Sequence, residues 1–139
     1  MNIDGVSTGI VIDHIRAGKS MEVYRLLNLS ELSCSVAIIQ NAKSTKYGKK
    51  DIIKIDEMID LDLDILGYID SNITVNFVID GKLEKKEHLE PPATLVDVIK
   101  CKNPRCISVS EEGVRQKFYL ADHKTKTYRC KYCDVEYSD

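Results

Sequence analysis

Hydrophobic and polar positions along residues 1–90 follow patterns that predict strands interleaved with helices. Short runs rich in β-branched residues predict four strands, because such side chains pack well on a pleated surface, and the charged segment after the turn at 80–81 is expected to return as a fifth, edge strand. The predicted strands cover residues 6–12, 33–40, 51–56, 73–79 and 82–89. After the first strand, Ala17, Met21 and Tyr24 recur at helical spacing and predict an amphipathic helix.

The stretch 60–69 allows two interpretations. Its alternation of aspartate and leucine fits a strand, but Leu61, Ile65 and Ile69 also fall at helical spacing. We expect a helix with Asp60 as its N-cap, because a strand already follows. The polar, basic segment 41–49 predicts an exposed loop.

The predicted order of elements is β-α-β-β-α-β-β, with a tight turn at residues 80–81 joining the last two strands. This order predicts an α+β fold, namely a ferredoxin-like antiparallel sheet with two helices and one added strand. Two consecutive prolines at 91–92 cannot donate to a strand ladder and indicate a boundary. We therefore expect one domain over residues 1–92 and a small all-β domain over residues 93–139.

The second segment is too short to fold on hydrophobic burial alone, and its cysteines suggest what stabilises it. Cys101 and Cys106 form one pair, Cys130 and Cys133 form another, and 23 residues separate the pairs. Two such turns supply the four thiolates that structural Zn²⁺ prefers, so we expect one zinc ion per chain in a zinc-ribbon-like domain. An iron–sulfur centre or a redox dithiol are the alternatives. Four protein ligands leave no open position, so the metal is expected to be structural.

Composition and charge narrow the function. The chain has 139 residues, is 43% hydrophobic and carries a formal net charge of −2, which fits a folded protein and disfavours a dedicated nucleic-acid binder. No apolar run approaches the roughly 20 residues of a membrane span, and residues 1–5 lack the basic start of a secretory signal. We expect a cytoplasmic protein that binds neither membranes nor nucleic acid, with its cysteines reduced.

Polar residues within the predicted strands are the candidates for binding. Asp13 and His14 end the first strand, but neighbouring strand residues point to opposite faces and no nucleophile is tied to them, so catalysis is not predicted. Lys54, Asn76 and Lys86 would suit a phosphorylated ligand such as a nucleotide, because buried lysine needs an anion and an amide can read a base edge. The pattern alone favours a simpler interpretation, in which they form the solvent face of the sheet.

Several motifs occur together and in order along the chain. They are GIVIDHI at 9–15, GKKDIIKI at 48–55, TVN at 74–76, CKNPRCIS at 101–108 and CKYC at 130–133. In this combination the sequence resembles the regulatory chain of aspartate carbamoyltransferase. The resemblance implies a non-catalytic subunit in pyrimidine biosynthesis. Its first domain would bind CTP or ATP allosterically, its zinc domain would contact the catalytic chain, and regulatory-chain homodimers would join catalytic trimers.

The resemblance also implies a nucleotide pocket. Lys86 and His14 would meet the triphosphate, and Lys54 would lie near the ribose and base. The full implied set is Val11, Asp13, His14, Lys54, Asn76, Val78, Leu83 and Lys86. Ser7 and Thr8 stand where the family usually has basic residues, so the choice of effector is open.

Two other functions are alternatives. A zinc-ribbon adaptor for nucleic acid would use a basic, aromatic face such as Tyr128, Arg129 and Lys131, although the overall charge is acidic. An enzyme acting through His14 is the third hypothesis, and it would require turnover by the isolated chain.

Overall fold

The computed structural model describes residues 7–46 and 48–138, and the chain divides into two compact units, Met1–Glu90 and Pro91–Asp139. Within the described residues, none of the helices is long and apolar enough to cross a membrane. The first unit contains β1 (Gly9–Arg16), α1 (Ser20–Leu26), a 3-10 helix (Leu29–Glu31), β2 (Val36–Ser44), β3 (Gly48–Ile55), α2 (Leu63–Ile69), β4 (Thr74–Ile79) and β5 (Lys82–His88). The second contains β6 (Thr94–Val96), α3 (Ile107–Ser110), β7 (Lys117–Asp122) and β8 (Thr127–Cys130).

The first unit is built on a five-stranded sheet in the order β2-β3-β1-β4-β5, with every neighbouring pair antiparallel. The first four strands have the order of a ferredoxin-like fold, and β5 is added beside β4 through the turn at Asp80 and Gly81. Both turn residues have positive φ, as the tight hairpin requires. The predicted α+β class is therefore confirmed.

One face of this sheet packs against the helices. Val23 of α1 and Leu66 of α2 join Ile12, Ile53 and Val75 in a cluster of fully buried side chains. Alternate residues of the same strands point away from the helices. They include a second, smaller buried cluster formed by Val11, Ile52 and Val78. We call this side, opposite α1 and α2, the far face.

A buried carboxylate joins α1 to the sheet. The residue before α1, Lys19, makes no side-chain cap. The carboxylate of Asp51 in β3 instead accepts hydrogen bonds from backbone N–H groups at the start of the helix. Its Oδ2 accepts hydrogen bonds from the backbone N–H groups of Gly18 at 3.1 Å and Ser20 at 3.3 Å, and its Oδ1 accepts one from Asn41 at 3.0 Å. Asp51 thus connects three segments that are distant in sequence.

Two local predictions were wrong. Most of the segment 41–49 is not a loop, because β2 continues to Ser44 and β3 begins at Gly48. The segment appeared loop-like because β2 is an edge strand with many polar, exposed positions. The helix in 60–69 is present, but its N-cap is Asp62 rather than Asp60. The Asp62 carboxylate accepts hydrogen bonds from the N–H groups of Asp64 and Ile65.

The second unit is a three-stranded antiparallel sheet in the order β6-β7-β8. Phe118 is buried and meets the Tyr137 ring edge-on, with centroids 5.8 Å apart. The buried Tyr128 hydroxyl donates to the carbonyl oxygen of Pro92 at 2.7 Å. Strand β6 ends at Val96, because Asp97 has a φ of +57°. Neither β8 nor the four-residue helix α3 was predicted.

Candidate functional site: a polar strip on the sheet and a four-cysteine cluster

A row of side chains crosses four strands on the far face. Val11 of β1 lies opposite Lys54 of β3 on one side and Asn76 of β4 on the other, and Asn76 lies opposite Lys86 of β5. Directly opposed residues in antiparallel strands project to the same face. Val11 and Asn76 are buried, Lys54 is partly buried and Lys86 is exposed, so the row runs from a closed centre to an accessible edge.

Most of the residues implied for a nucleotide pocket share this face. Val78 lies opposite Leu83, beyond a register shift between Phe77 and Val78, and Asp13 lies opposite Thr74 at the other end. The far face therefore carries seven of the eight residues by strand register: Val11, Asp13, Lys54, Asn76, Val78, Leu83 and Lys86.

His14, the eighth residue, sits at an irregularity in β1. The register with β3 shifts between Ile12 and Ile15, and His14 has a φ of +58°. Its backbone N–H donates to Asp13 Oδ1 at 2.7 Å, and its Nδ1 lies 2.9 Å from Thr74 Oγ1. Two expectations were therefore wrong, since β1 continues past His14 and the bulge brings both side chains to the same side, where His14 Nδ1 lies 3.9 Å from Asp13 Oδ2.

A buried ion pair lies at one end of this row of side chains. Lys50 Nζ lies 3.0 Å from Asp13 Oδ1, and the two side chains are only 6% and 10% exposed. Burial opposes ionisation of Asp13, but hydrogen bonds from Lys50 and from the backbone of His14 outweigh it and lower the pKa of that carboxyl. Lys50 was not among the predicted site residues. The signal was available, because Lys50 and Lys54 are four residues apart in a strand and share a face.

The imidazole of His14 lies in a cationic environment. Partial burial lowers its pKa, and although Asp13 opposes this, the charges of Lys50, Lys86 and Lys46 lower the pKa further. These effects favour the neutral form of the ring. The net positive charge around it comes from the lysines.

The second unit brings its four cysteines together. Cys106 precedes α3, Cys130 ends β8, and Cys101 and Cys133 lie in the adjoining turns. All four sulfur atoms lie within 4.8 Å of one another, and the Cys101–Cys133 and Cys106–Cys130 sulfur distances are both 3.6 Å. The four cysteines are free rather than joined in disulfides.

This geometry fits a tetrahedral metal ion. With metal–sulfur distances of about 2.3 Å, the edges of a tetrathiolate shell are about 3.8 Å long. The two sulfur–sulfur distances of 3.6 Å are close to that value. The cluster can therefore hold one metal ion with four ligands. Such a shell leaves no position for a substrate.

Two of the thiols resist ionisation. Burial raises the pKa of Cys101 to about 12, although a backbone hydrogen bond from Asn103 partly opposes this. Burial also raises the pKa of Cys130. Four thiolates in so small a volume repel one another, so full ionisation requires a cation in their centre.

The other two thiols ionise more readily. Burial opposes ionisation of Cys133, but hydrogen bonds from the Asn103 side chain and the Val135 backbone outweigh it and lower the pKa to about 7. Burial likewise opposes ionisation of Cys106, and hydrogen bonds from the hydroxyl and backbone of Ser108 outweigh it and lower its pKa. These two thiols therefore favour the thiolate form, which is the form that binds metal ions, more than Cys101 and Cys130 do.

Comparison with known proteins covers both units. A family model described as the allosteric domain of the aspartate carbamoyltransferase regulatory chain matches residues 1–90. A second, described as the metal binding domain of the same regulatory chain, matches residues 93–139. Both matched descriptions are regulatory or metal-binding, and neither is catalytic.

Individual relatives match over nearly their whole length. A protein of Clostridium botulinum is 46% identical over 138 residues, covering 99% of this chain and 94% of the relative. A protein of Clostridium tetani is 47% identical with coverage of 99% and 96%, and one of Bifidobacterium longum is 42% identical with coverage of 98% and 98%. All three are named aspartate carbamoyltransferase regulatory chain. The resemblance and the prediction of a non-catalytic chain are confirmed, and the chain belongs to the aspartate carbamoyltransferase regulatory chain family.

Proposed function

We propose that this chain binds CTP or ATP on the far face of its first unit and, through a zinc-loaded second unit, docks onto the catalytic chain of aspartate carbamoyltransferase. It would act as a homodimeric regulatory subunit in the cytoplasm, within pyrimidine biosynthesis. The observation that carries the proposal is the row of polar side chains on the far face. The matched allosteric domain contains that whole row.

The chemistry of the row suits a nucleotide. The amide of Asn76 offers both a donor and an acceptor beside the apolar surface of Val11, a combination that can read the edge of a base. Lys54 lies across β1 from Asn76 and would meet the ribose and base. Lys86 is exposed at the rim, where an ammonium group can contact phosphate oxygens.

The cationic surroundings of His14 suit the phosphates. A triphosphate near Lys86 and His14 would offset the lysine charges that lower the pKa of the imidazole. Asp13 would hold its partner Lys50 in place and keep the local charge from rising further. The bulge at residues 13–14 directs the ring toward Thr74 and fixes its orientation.

The role of the second unit follows from its size and chemistry. The cysteine cluster has the donor set and the spacing of a structural zinc site. Zinc would be held by Cys101, Cys106, Cys130 and Cys133, and its binding free energy would contribute to folding of the unit. A folded second unit would present the surface that contacts the catalytic chain.

Binding at one domain and action at another chain makes the mechanism allosteric. A nucleotide changes the catalytic chain only if it binds two states of the assembly with different affinity. Coupling free energies are typically about 1–3 kcal/mol, and the effect is reciprocal, so ligands of the catalytic chain must also change nucleotide affinity.

The nucleotide site is tested by replacing one lysine of β5. Lys86→Ala removes a charge from the far face, and we expect CTP and ATP to bind about 10–100-fold more weakly, as for the loss of one hydrogen bond to a charged group. Isothermal titration calorimetry on the assembled complex measures this. Assembly itself should be unchanged.

Lys85→Ala is the matched control for this test. Lys85 is the adjacent residue, but it lies opposite Phe77, whose ring packs against the helix-side core. The control makes the same change of charge on the other face, so it should bind nucleotide like the unmodified chain. Equal affinities for both variants would refute the proposed pocket.

A further inference from the structure

Gln116, which immediately precedes β7, makes hydrogen bonds with three separate segments around the cysteine cluster. Its side-chain Oε1 accepts from the backbone N–H of Cys101 at 2.8 Å, and its Nε2 donates to the carbonyl oxygen of Ser108 at 2.9 Å. Its backbone N–H donates to Asp97 Oδ1 at 2.9 Å, and its carbonyl oxygen accepts from the N–H of Asp97 at 2.7 Å. Only one orientation of the amide satisfies both side-chain partners, so the side chain is fully determined.

Ser108 continues this network to a sulfur atom. Its hydroxyl is buried and lies 3.0 Å from Cys106 Sγ. A thiolate that binds a metal carries no proton, so in the metal-bound form the Ser108 hydroxyl must be the donor. Gln116 fixes the backbone of Ser108 and thereby the position from which that hydroxyl reaches Cys106.

The second cysteine pair is anchored by Lys117, the residue that follows Gln116. The carbonyl oxygen of Lys117 accepts a hydrogen bond from the N–H of Lys131 at 2.8 Å, within the turn between Cys130 and Cys133. The start of β7 is therefore the place where both cysteine pairs are held. At the start of β7, the side chain of Gln116 makes the hydrogen bonds that hold the segments of the first pair.

We infer that Gln116 is a positioning residue for the metal site, which holds Cys101 and the segment Cys106–Ser108 at ligand spacing and so slows release of the metal. This inference rests on the proposed structural zinc site. Its physical basis is preorganisation, because a cluster already at tetrahedral spacing binds a cation without ordering two turns at the same time. Loss of such outer hydrogen bonds typically weakens metal binding about 10–100-fold.

The test uses the full chain with zinc and with Co²⁺, whose absorption reports tetrahedral thiolate coordination. Gln116→Met keeps the length of the side chain and removes both hydrogen bonds, and we expect zinc transfer to a chromophoric chelator to be about 10–100-fold faster. Gln116→Glu keeps the acceptor for Cys101 but turns a carboxylate oxygen toward the Ser108 carbonyl oxygen, so it too should release zinc faster than the unmodified chain. If the Met variant does not fold, the Glu variant decides by the same measurement.

Leu95→Ala is the control for a general loss of stability. Leu95 is buried in the same unit, opposite Phe118, and makes none of these hydrogen bonds. At equal loss of thermal stability, the Gln116 variants should release zinc faster than Leu95→Ala does. The Gln116 variants should also shift the Co²⁺ absorption bands, whereas Leu95→Ala should leave the bands at the positions seen in the unmodified chain.

Two adverse results are distinguishable. Release rates that follow thermal stability alone, or that equal the rate of the unmodified chain, would overturn the role of Gln116 and leave the zinc site intact. An unmodified chain that binds neither zinc nor Co²⁺ in a thiolate site would overturn the proposed metal site, and with it this inference.

Discussion

Replacing Asp51 should weaken the first unit by removing one carboxylate that joins three segments. The side chain is completely buried, and its two oxygens accept hydrogen bonds from the N–H groups of Gly18, Ser20 and Asn41. Asp51→Ala leaves all three donors without this acceptor. Asp51→Asn keeps the shape, but one oxygen becomes an NH₂ group that cannot accept.

The local surroundings of each donor set the magnitude. The bond from Ser20 is buried, and losing a buried hydrogen bond to a charged group costs about 1.5–3 kcal/mol. Gly18 and Asn41 are exposed, so water can accept a hydrogen bond from their N–H groups in place of Asp51. Losing each of these two bonds therefore costs only about 0.5–1 kcal/mol. We therefore expect Asp51→Ala to lower the free energy of unfolding by about 2.5–5 kcal/mol, and Asp51→Asn by about 1–2 kcal/mol.

The pH dependence supplies an independent check. Burial raises the pKa of Asp51, but hydrogen bonds, including those from the backbone of Asn41, Gly18 and Ser20, outweigh this and lower it. A carboxyl with a lowered folded pKa stabilises the protein above its unfolded pKa of about 3.9, and this stabilisation is lost as the pH falls through the folded pKa. The difference between the unmodified chain and Asp51→Asn should therefore be largest at neutral pH and shrink in acid.

Hydrogen exchange measured by mass spectrometry on peptides of β3 follows this unit separately from the second. Asp60→Asn, at an exposed position, is the control for removing one negative charge. Asp51 and Asp60 variants of equal stability, or a difference between them that does not change with pH, would refute the reasoning.

Two further outcomes are expected. Cys106→Ser, or removal of the metal by a chelator, should unfold the second unit and release catalytic trimers while β1–β5 keep their exchange protection; an intact large complex on a sizing column would contradict this. Gly67→Ala should destabilise the first unit by about 1–3 kcal/mol, because an added Cβ would lie 2.2 Å from the carbonyl oxygen of Glu90; a variant with unchanged exchange would show that the Glu90 segment moves aside at little cost.

The fold of the first unit was largely predictable because its strands have strong local signals. Ile73–Ile79 alternates with period 2, and the turn at Asp80 and Gly81 fixes the pairing of β4 with β5. Both strands of the β2–β3 hairpin were predicted, but their extension to Ser44 and back to Gly48 was not, since an exposed edge strand and a loop contain the same polar residues. Its pairing depends on β3, which is itself specified by β1.

The polar strip on the far face depends on contacts between distant segments, and this explains why pattern alone favoured a solvent face. Lys54, Asn76 and Lys86 lie on three strands, and their neighbourhood exists only once β1 has placed Val11 between the first two. No single-strand pattern contains that register. The bulge that turns His14 toward Thr74 is a deviation from strand periodicity, so the periodicity argument gave the wrong side for it.

In the second unit the site was predictable from the sequence, whereas part of the fold was not. Its cysteine pairs are local signals, with four and two residues between their members, and they predict the cluster without any knowledge of the strands. Its β8 and α3 have weak patterns because a metal ion, rather than an apolar face, is expected to specify them. Neither strand periodicity nor cysteine spacing indicates a role for Gln116, because its partners Cys101 and Ser108 are brought to it by the metal-binding turns. The proposed role of Gln116 rests on hydrogen bonds between segments far apart in sequence, and no local pattern contains them.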